Sequence, residues 1–190
     1  KELLKSDSHL ELSVSVTTRE KRSGEIEGVD YYFSDEDSFK HMIADGKFFE
    51  YANVYGNYYG TLKNQFLYAN PNISKRNIDT LFDIDWQGAR SLKEQIPDDV
   101  ISIYILPPSL KELELRLKNR NQDSDETIEN RMSRAITELE HYKEYDYVII
   151  NEDFSDSLSK LQNILKAERL KRNRQTNLSN FIKELSQEMS

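Results

Sequence analysis

Cysteine is absent from the 190 residues. Disulfides and thiolate metal sites are thereby excluded, which is compatible with the cytoplasm. No apolar run approaches the roughly 20 residues a membrane-spanning helix needs, and no signal peptide is visible. The expectation is therefore a cytoplasmic protein that does not engage a membrane. Positive charge is in deficit: 26 Lys and Arg against 34 Asp and Glu give a formal net charge of −8 and a pI near 5.0. Bulk charge gives no support to nucleic-acid binding, so a bound anion must be held by local arginines. His9, His41 and His141 show no metal-ligand spacing, and there is no internal repeat or low-complexity stretch.

What is present suffices for one sizeable core. The organising stretch is Ser13–Phe33, SVSVTTREKRSGEIEGVDYYF. Leu10, Leu12, Val14 and Val16 alternate with Ser13, Ser15 and Thr17, the pattern of a half-buried strand. That strand delivers Thr17, Thr18, Arg19 and Arg22 into a glycine-containing loop that ends in Tyr31 and Tyr32. Paired guanidiniums with tyrosine hydroxyls suit a phosphate; taken alone, the loop reads first as a solvated basic surface. Ser34–Asp37 has capping-box spacing, Phe39, Met42 and Ile43 supply a helical face, and Gly46 ends it. Phe48–Tyr55 returns to strand character, Gly56–Thr61 is a tight loop, and Leu62–Tyr68 reads as helical.

The second half alternates strands with helices. Thr80–Asp85 is an apolar strand ending in aspartates, and Gln87–Gln95 is a helix. Val100–Leu106 is a near-continuous apolar run, as expected of a strand covered on both faces. Ser109 and Glu112 form a second capping box. Tyr147–Ile150 is a further strand, and a helix runs from Asp156 to about Arg174. This rhythm predicts an α/β fold with a parallel sheet and right-handed crossovers, interrupted between residues 17 and 62 by a small mixed α+β insertion.

Three sets of residues suggest chemistry. Asp83 follows an apolar strand, where open α/β sheets place their ligands and where nucleotide-phosphate enzymes hold Mg2+; the alternative is a helix cap. Glu50 and Asp85 are carboxylates within apolar stretches. They form either a structural ion pair or a guanine reader, since guanine offers N1–H and its 2-amino group together and adenine does not. Arg116, Arg120, Arg131 and Arg134 bracket a polar segment, read either as a charged helix surface with pairs such as Glu114–Lys118 or as a lid that closes on a phosphoryl group.

Taken together, SVSVTTREKRSGE, GVDYYF, FFEYANVYGNYYGT, LFDIDWQGA, ILPPS, RLKNRNQDSDETIENRM, EYDYVIINED and LKAERLKRNRQ closely resemble guanylate kinase of the bacterial type, from about residue 10 to residue 175. The resemblance implies a P-loop-kinase-like parallel sheet with flanking helices, a GMP-binding insertion and a short lid. It implies the reaction of ATP with GMP, with Mg2+, and GMP and ATP as the partners. The implied GMP phosphate contacts are Arg19, Arg22, Tyr31 and Tyr59. The implied guanine contacts are Ser15, Glu50, Thr61 and Asp85, with Glu25 in the same loop. Arg120 and Arg131 match the lid arginines on the ATP phosphates, Asn151 the approach to adenine, and Asp83 the metal side; Arg19, Arg120 and Arg131 would carry the catalytic charge neutralisation. The implied division is a core of residues 1–16 and 63–175, with the lid at about 118–131, a GMP-binding subdomain of 17–62, and a helical tail of 176–190.

The family's G-x-x-G-x-G-K-[ST] loop does not occur in these 190 residues. Lys1–Lys5 matches the helix that follows it, so the first strand and the loop are expected to precede this numbering. A rival reading is a non-catalytic guanylate-kinase-like module that binds phosphorylated peptides. In the tail, Leu178, Phe181, Ile182, Leu185 and Met189 follow helical spacing. They are expected either to pack on the domain or to form a homo-oligomer contact.

Overall fold

The computed structural model describes residues 1–65, 78–119, 125–175 and 177–188. Helix α1 (Glu2–Ser6) leads to β1 (Leu10–Leu12), which pairs in parallel with β6 (Asp79–Leu81). The chain then passes into a four-stranded sheet of order β3-β2-β5-β4, made of β2 (Val16–Thr17), β3 (Tyr32–Phe33), β4 (Phe48–Val54) and β5 (Asn57–Leu62). Helix α2 (Glu36–Ala44) lies between β3 and β4, and Lys63–Gln65 form a 3₁₀ turn after β5. The second half supplies α3 (Trp86–Gln95), β7 (Ile103–Leu106), α4 (Leu110–Asn119), α5 (Asp125–Leu139), β8 (Tyr147–Ile150), α6 (Phe154–Arg169) and α7 (Leu178–Gln187). Strands β7 and β8 pair in parallel, Ile103 opposite Tyr147 through Leu106 opposite Ile150. The result is an α/β fold with parallel strands, flanking helices and a mixed four-stranded layer.

The insertion has its own core. Phe39 of α2 is fully buried and stacks on Phe48 at 4.4 Å and on Tyr58 at 5.3 Å between ring centroids, with Val16 beside them. Asp35 caps α2, accepting from the Ser38 N–H at 2.7 Å. The cap is one residue later than the Ser34–Asp37 box predicts. At the second predicted box, Ser109 Oγ accepts from the Glu112 N–H at 3.1 Å, and Glu114 pairs with Lys118 as the spacing predicts.

Several elements differ from expectation. Leu10–Val16 is not one strand: it breaks at Ser13–Ser15, where the chain leaves one sheet for another. Both faces are then covered, so Ser13, Ser15 and Thr17 are buried alongside Val16. Hydroxyls tolerate that burial because the backbone satisfies them; Thr17 Oγ1 donates to the Tyr58 carbonyl at 3.0 Å. The apolar run before Pro107 is a strand only from Ile103, and among the described residues Ile105 is half exposed. Arg169 spans Asp7 and Asp79, at 2.6 Å to each, and ties α1 and β6 to α6. Helix α7 has no buried residue, and among the described residues Phe181 and Ile182 stay exposed. Of the helix expected over Leu62–Tyr68, Leu62 ends β5 and Lys63–Gln65 form the 3₁₀ turn, while residues 66–68, like Met189, lie outside the described residues.

Candidate nucleotide site

Glu50 sits on the buried edge of β4 and is only 5% exposed. One oxygen accepts the Thr61 hydroxyl from β5 at 2.6 Å. The other faces α3, where Gly88 comes so close that a Cβ there would stand 2.7 Å from it. A side chain at position 88 would force the Glu50 carboxylate to move. A glycine inside the helical pattern WQGARSLKEQ was the signal that could have disclosed it. Burial pushes the Glu50 carboxyl above its ordinary range and the nearby Asp85 carboxylate adds to this, while hydrogen bonds from Thr61 oppose it. No basic side chain pairs with Glu50 among the described residues.

Asp85 caps α3: its Oδ1 accepts the Gly88 N–H at 3.0 Å, and its Oδ2 accepts from Gln87 Nε2 at 2.9 Å. A cap with a short polar side chain is the ordinary way to satisfy a helix start, and it fixes Asp85 beside Glu50. The next residue, Trp86, is the only tryptophan in the chain. It stacks on His141 at 3.7 Å with an interplanar angle of 8°, and the Arg90 guanidinium lies 4.7 Å from its ring centroid.

The basic loop gathers around Arg19. Its guanidinium donates to Glu25 at 2.7 Å, the Tyr59 hydroxyl lies within its hydrogen-bonding reach, and the Tyr31 and Phe33 rings stand 5.4 and 5.9 Å from it. Glu25 also accepts the Arg22 N–H at 2.8 Å. Burial alone would raise the Glu25 carboxyl, but these donors hold it below its usual value. Tyr31 and Tyr59 meet edge to face at 6.0 Å. Burial raises the Tyr31 phenol, and Asp83 adds to that rise, so the exposed Asp83 just beyond β6 lies within electrostatic reach of the tyrosines. Ser15 is buried, and its carbonyl accepts from the Tyr32 N–H at 2.9 Å.

The structure thus brings Glu50, Thr61 and Asp85 together at one place and Arg19, Glu25, Tyr31 and Tyr59 at another, linked through Tyr59 and Thr61, two residues apart on β5. Asn151 stands apart, at the end of β8, where its side-chain oxygen accepts from Ser157 at 3.0 Å. Arg131 lies on α5 with its guanidinium 5.3 Å from the Tyr55 ring centroid. Arg120, with residues 121–124 of the expected lid, lies outside the described residues. Among the described residues no three of His, Cys, Asp and Glu are grouped as a metal site, and no helix is long and apolar enough to cross a membrane.

The family model described as guanylate kinase matches residues 1–168. The chain is 52% identical to guanylate kinase of Rickettsia prowazekii (strain Madrid E) over 171 residues, covering 90% of this chain and 84% of that protein. It is 50% identical to guanylate kinase of Maricaulis maris (strain MCS10) over 182 residues, covering 96% and 82%. The crystal structure of guanylate kinase from Anaplasma phagocytophilum superposes with a TM-score of 0.80 at 38% identity, covering 96% of this chain and 87% of that one.

Proposed function

This chain belongs to the guanylate kinase family, and from that premise we propose that it passes the γ-phosphoryl group of ATP to GMP in line, with Mg2+, giving ADP and GDP. It is a nucleoside monophosphate kinase. The observation that carries the choice of GMP is Glu50, a buried carboxylate with a hydroxyl on one oxygen and no cation beside it. Such a group is costly unless donors arrive, and the N1–H and 2-amino group of guanine are such donors, while adenine leaves them missing. Asp85 and Ser15 complete the base contacts. Thr61 commits its hydroxyl hydrogen to Glu50 in the present arrangement, so reaching guanine O6 requires that hydroxyl to turn.

Arg19, Arg22, Tyr31 and Tyr59 hold the GMP phosphate, and Glu25 keeps the Arg19 fork in place until the phosphate shares it. A lone exposed carboxylate at Asp83 fits an ion that arrives on phosphates and keeps water ligands. Mg2+ bound there would neutralise charge on the transferring group. Arg120 and Arg131 act on the ATP phosphates, and Asn151 lies toward the adenine. Closure of both nucleotide sites excludes water. The relatives support this enzyme over a peptide-binding module, with GMP and ATP as its partners.

Steady-state kinetics with GMP and AMP test the reading. Glu50→Ala is expected to lose most of the preference for GMP, and Arg19→Ala to raise KM for GMP at least tenfold, about the worth of one charge-assisted contact. Unchanged GMP kinetics in both variants would remove the assignment.

A further inference from the structure

The hairpin that carries Glu50 turns on a residue ill suited to its turn. Val54 pairs with Asn57, leaving Tyr55 and Gly56 as a two-residue loop with φ of +52° and +84°. Both positive values mark the turn that favours Asn, Asp or Gly at its first position and glycine at its second. Tyr55 is the only non-glycine residue with positive φ among the described residues. Strain of this kind persists where the surroundings enforce it, and it is a reason to look for a function.

The surroundings are one stripe of α5. The Tyr55 hydroxyl donates to Glu138 Oε1 at 2.7 Å, and the guanidinium carbons of Arg131 and Arg134 stand 5.3 and 5.7 Å from its ring centroid. Residues 131, 134 and 138 share one helix face. Burial, helped by the Glu138 carboxylate, keeps the phenol protonated and therefore a donor. Glu50 lies five residues back along the same hairpin, about 16 Å along an extended strand. A second tie joins the hairpin tip to the guanine end of α3: Gln87 Nε2 donates to Asp85 at 2.9 Å and reaches the Asn53 carbonyl at 3.4 Å.

We propose that Tyr55 is a positioning residue that clasps the Arg131–Arg134–Glu138 stripe of α5 to the tip of the β4–β5 hairpin, so that seating GMP at Glu50 sets where Arg131 meets the phosphates of ATP. This rests on the reading of Arg131 as an ATP-side arginine. Coupling of this sort is reciprocal: GMP should tighten ATP binding by the factor that ATP tightens GMP binding.

The full-length enzyme is compared with Tyr55→Asn, Tyr55→Phe, Arg131→Ala and the Tyr55→Asn/Arg131→Ala double variant. Tyr55→Asn installs the residue the turn prefers, so its melting temperature should hold or rise. Its kcat/KM for ATP should nonetheless fall about tenfold, within the usual span of intersite coupling. Binding of GMP alone should change less than twofold, and most of the effect of GMP on ATP affinity should vanish. Tyr55→Phe keeps the ring, loses the bond to Glu138 and should fall in between. The double variant should be little worse than Arg131→Ala, because both act through one group. Wild-type ATP kinetics in Tyr55→Asn, additive losses in the double variant, a defect confined to GMP binding, or activity lost together with melting temperature would each overturn the proposal. The unaltered enzyme and Arg131→Ala serve as controls. If the former does not phosphorylate GMP, or the latter leaves ATP kinetics intact, the functional reading fails and this inference with it. If both controls behave and Tyr55→Asn is silent, the inference alone fails.

Discussion

In the four-stranded sheet Phe39 is fully enclosed by Phe48, Tyr58 and Val16, whereas on the β7–β8 pair Ile105 on one face and Val148 and Ile150 on the other remain about half exposed. One region closes its core from both sides with residues contributed over a short span of chain. The other leaves apolar strand surface uncovered among the described residues. The closed region carries the Glu50 carboxylate, which turns away from that core, bonds Thr61 and lies against α3 at Gly88. The open region contributes Asn151 at a strand end, where the side chain is held by a single bond to Ser157. Placement is set at Glu50 by Thr61 and the close approach of α3, and at Asn151 by one local hydrogen bond.

The sharpest way to break this contrast is to remove one apolar side chain from each region. Phe39→Ala is expected to cost about 4 kcal/mol, since it leaves a cavity under β4 and β5. Ile105→Ala should cost about 1 kcal/mol, because half of that side chain is already in water. Thermal or denaturant unfolding reads both, and equal losses would erase the distinction.

A smaller change probes the carboxylate without touching the core. Gly88→Ala places a Cβ where the Glu50 oxygen stands, 2.7 Å away, so the carboxylate must shift. KM for GMP should rise about thirtyfold, the worth of roughly one hydrogen bond to a charged group, with melting temperature little altered. A GMP KM unchanged in that variant would show that the α3 contact does not position Glu50.

The smallest expected effect is in pH. Burial first, and Asp85 second, raise the folded pKa of Glu50 above 4.5. Between 4.5 and that raised value the empty protein keeps a proton that the unfolded chain releases. As pH falls through this window the carboxyl therefore stops costing stability, yet it also stops accepting from guanine. KM for GMP should climb severalfold with acidification, starting above the usual carboxylate range, as Glu50 takes up its proton. The climb should be absent in Glu50→Gln, whose KM is high throughout. Carboxylates with lowered values, such as Asp7 and Glu25, lose their contributions only at more acid pH.

How much of this was legible in the sequence varied with the range of the interaction. Glu50 within FFEYANVY announced a buried carboxylate, and the Ser109 cap and the Glu114–Lys118 pair follow from spacing alone. Ser13 and Ser15 were misread because alternation describes one strand on one sheet, and here the chain changes sheets between them. The role of Arg169 was not legible, because its partners, Asp7 and Asp79, are 162 and 90 residues away. Tyr55 was missed because φ is not written in residue type, and an aromatic residue before glycine argues, if anything, against the turn it makes.

The stack of Trp86 between His141 and Arg90 has a practical consequence. A lone indole held against an imidazole and a guanidinium has its fluorescence governed by their charge and distance, and it is covalently next to Asp85. The molecule thus carries its own optical probe at the head of α3. Any nucleotide that reorders this end of the helix will register in the emission without a label.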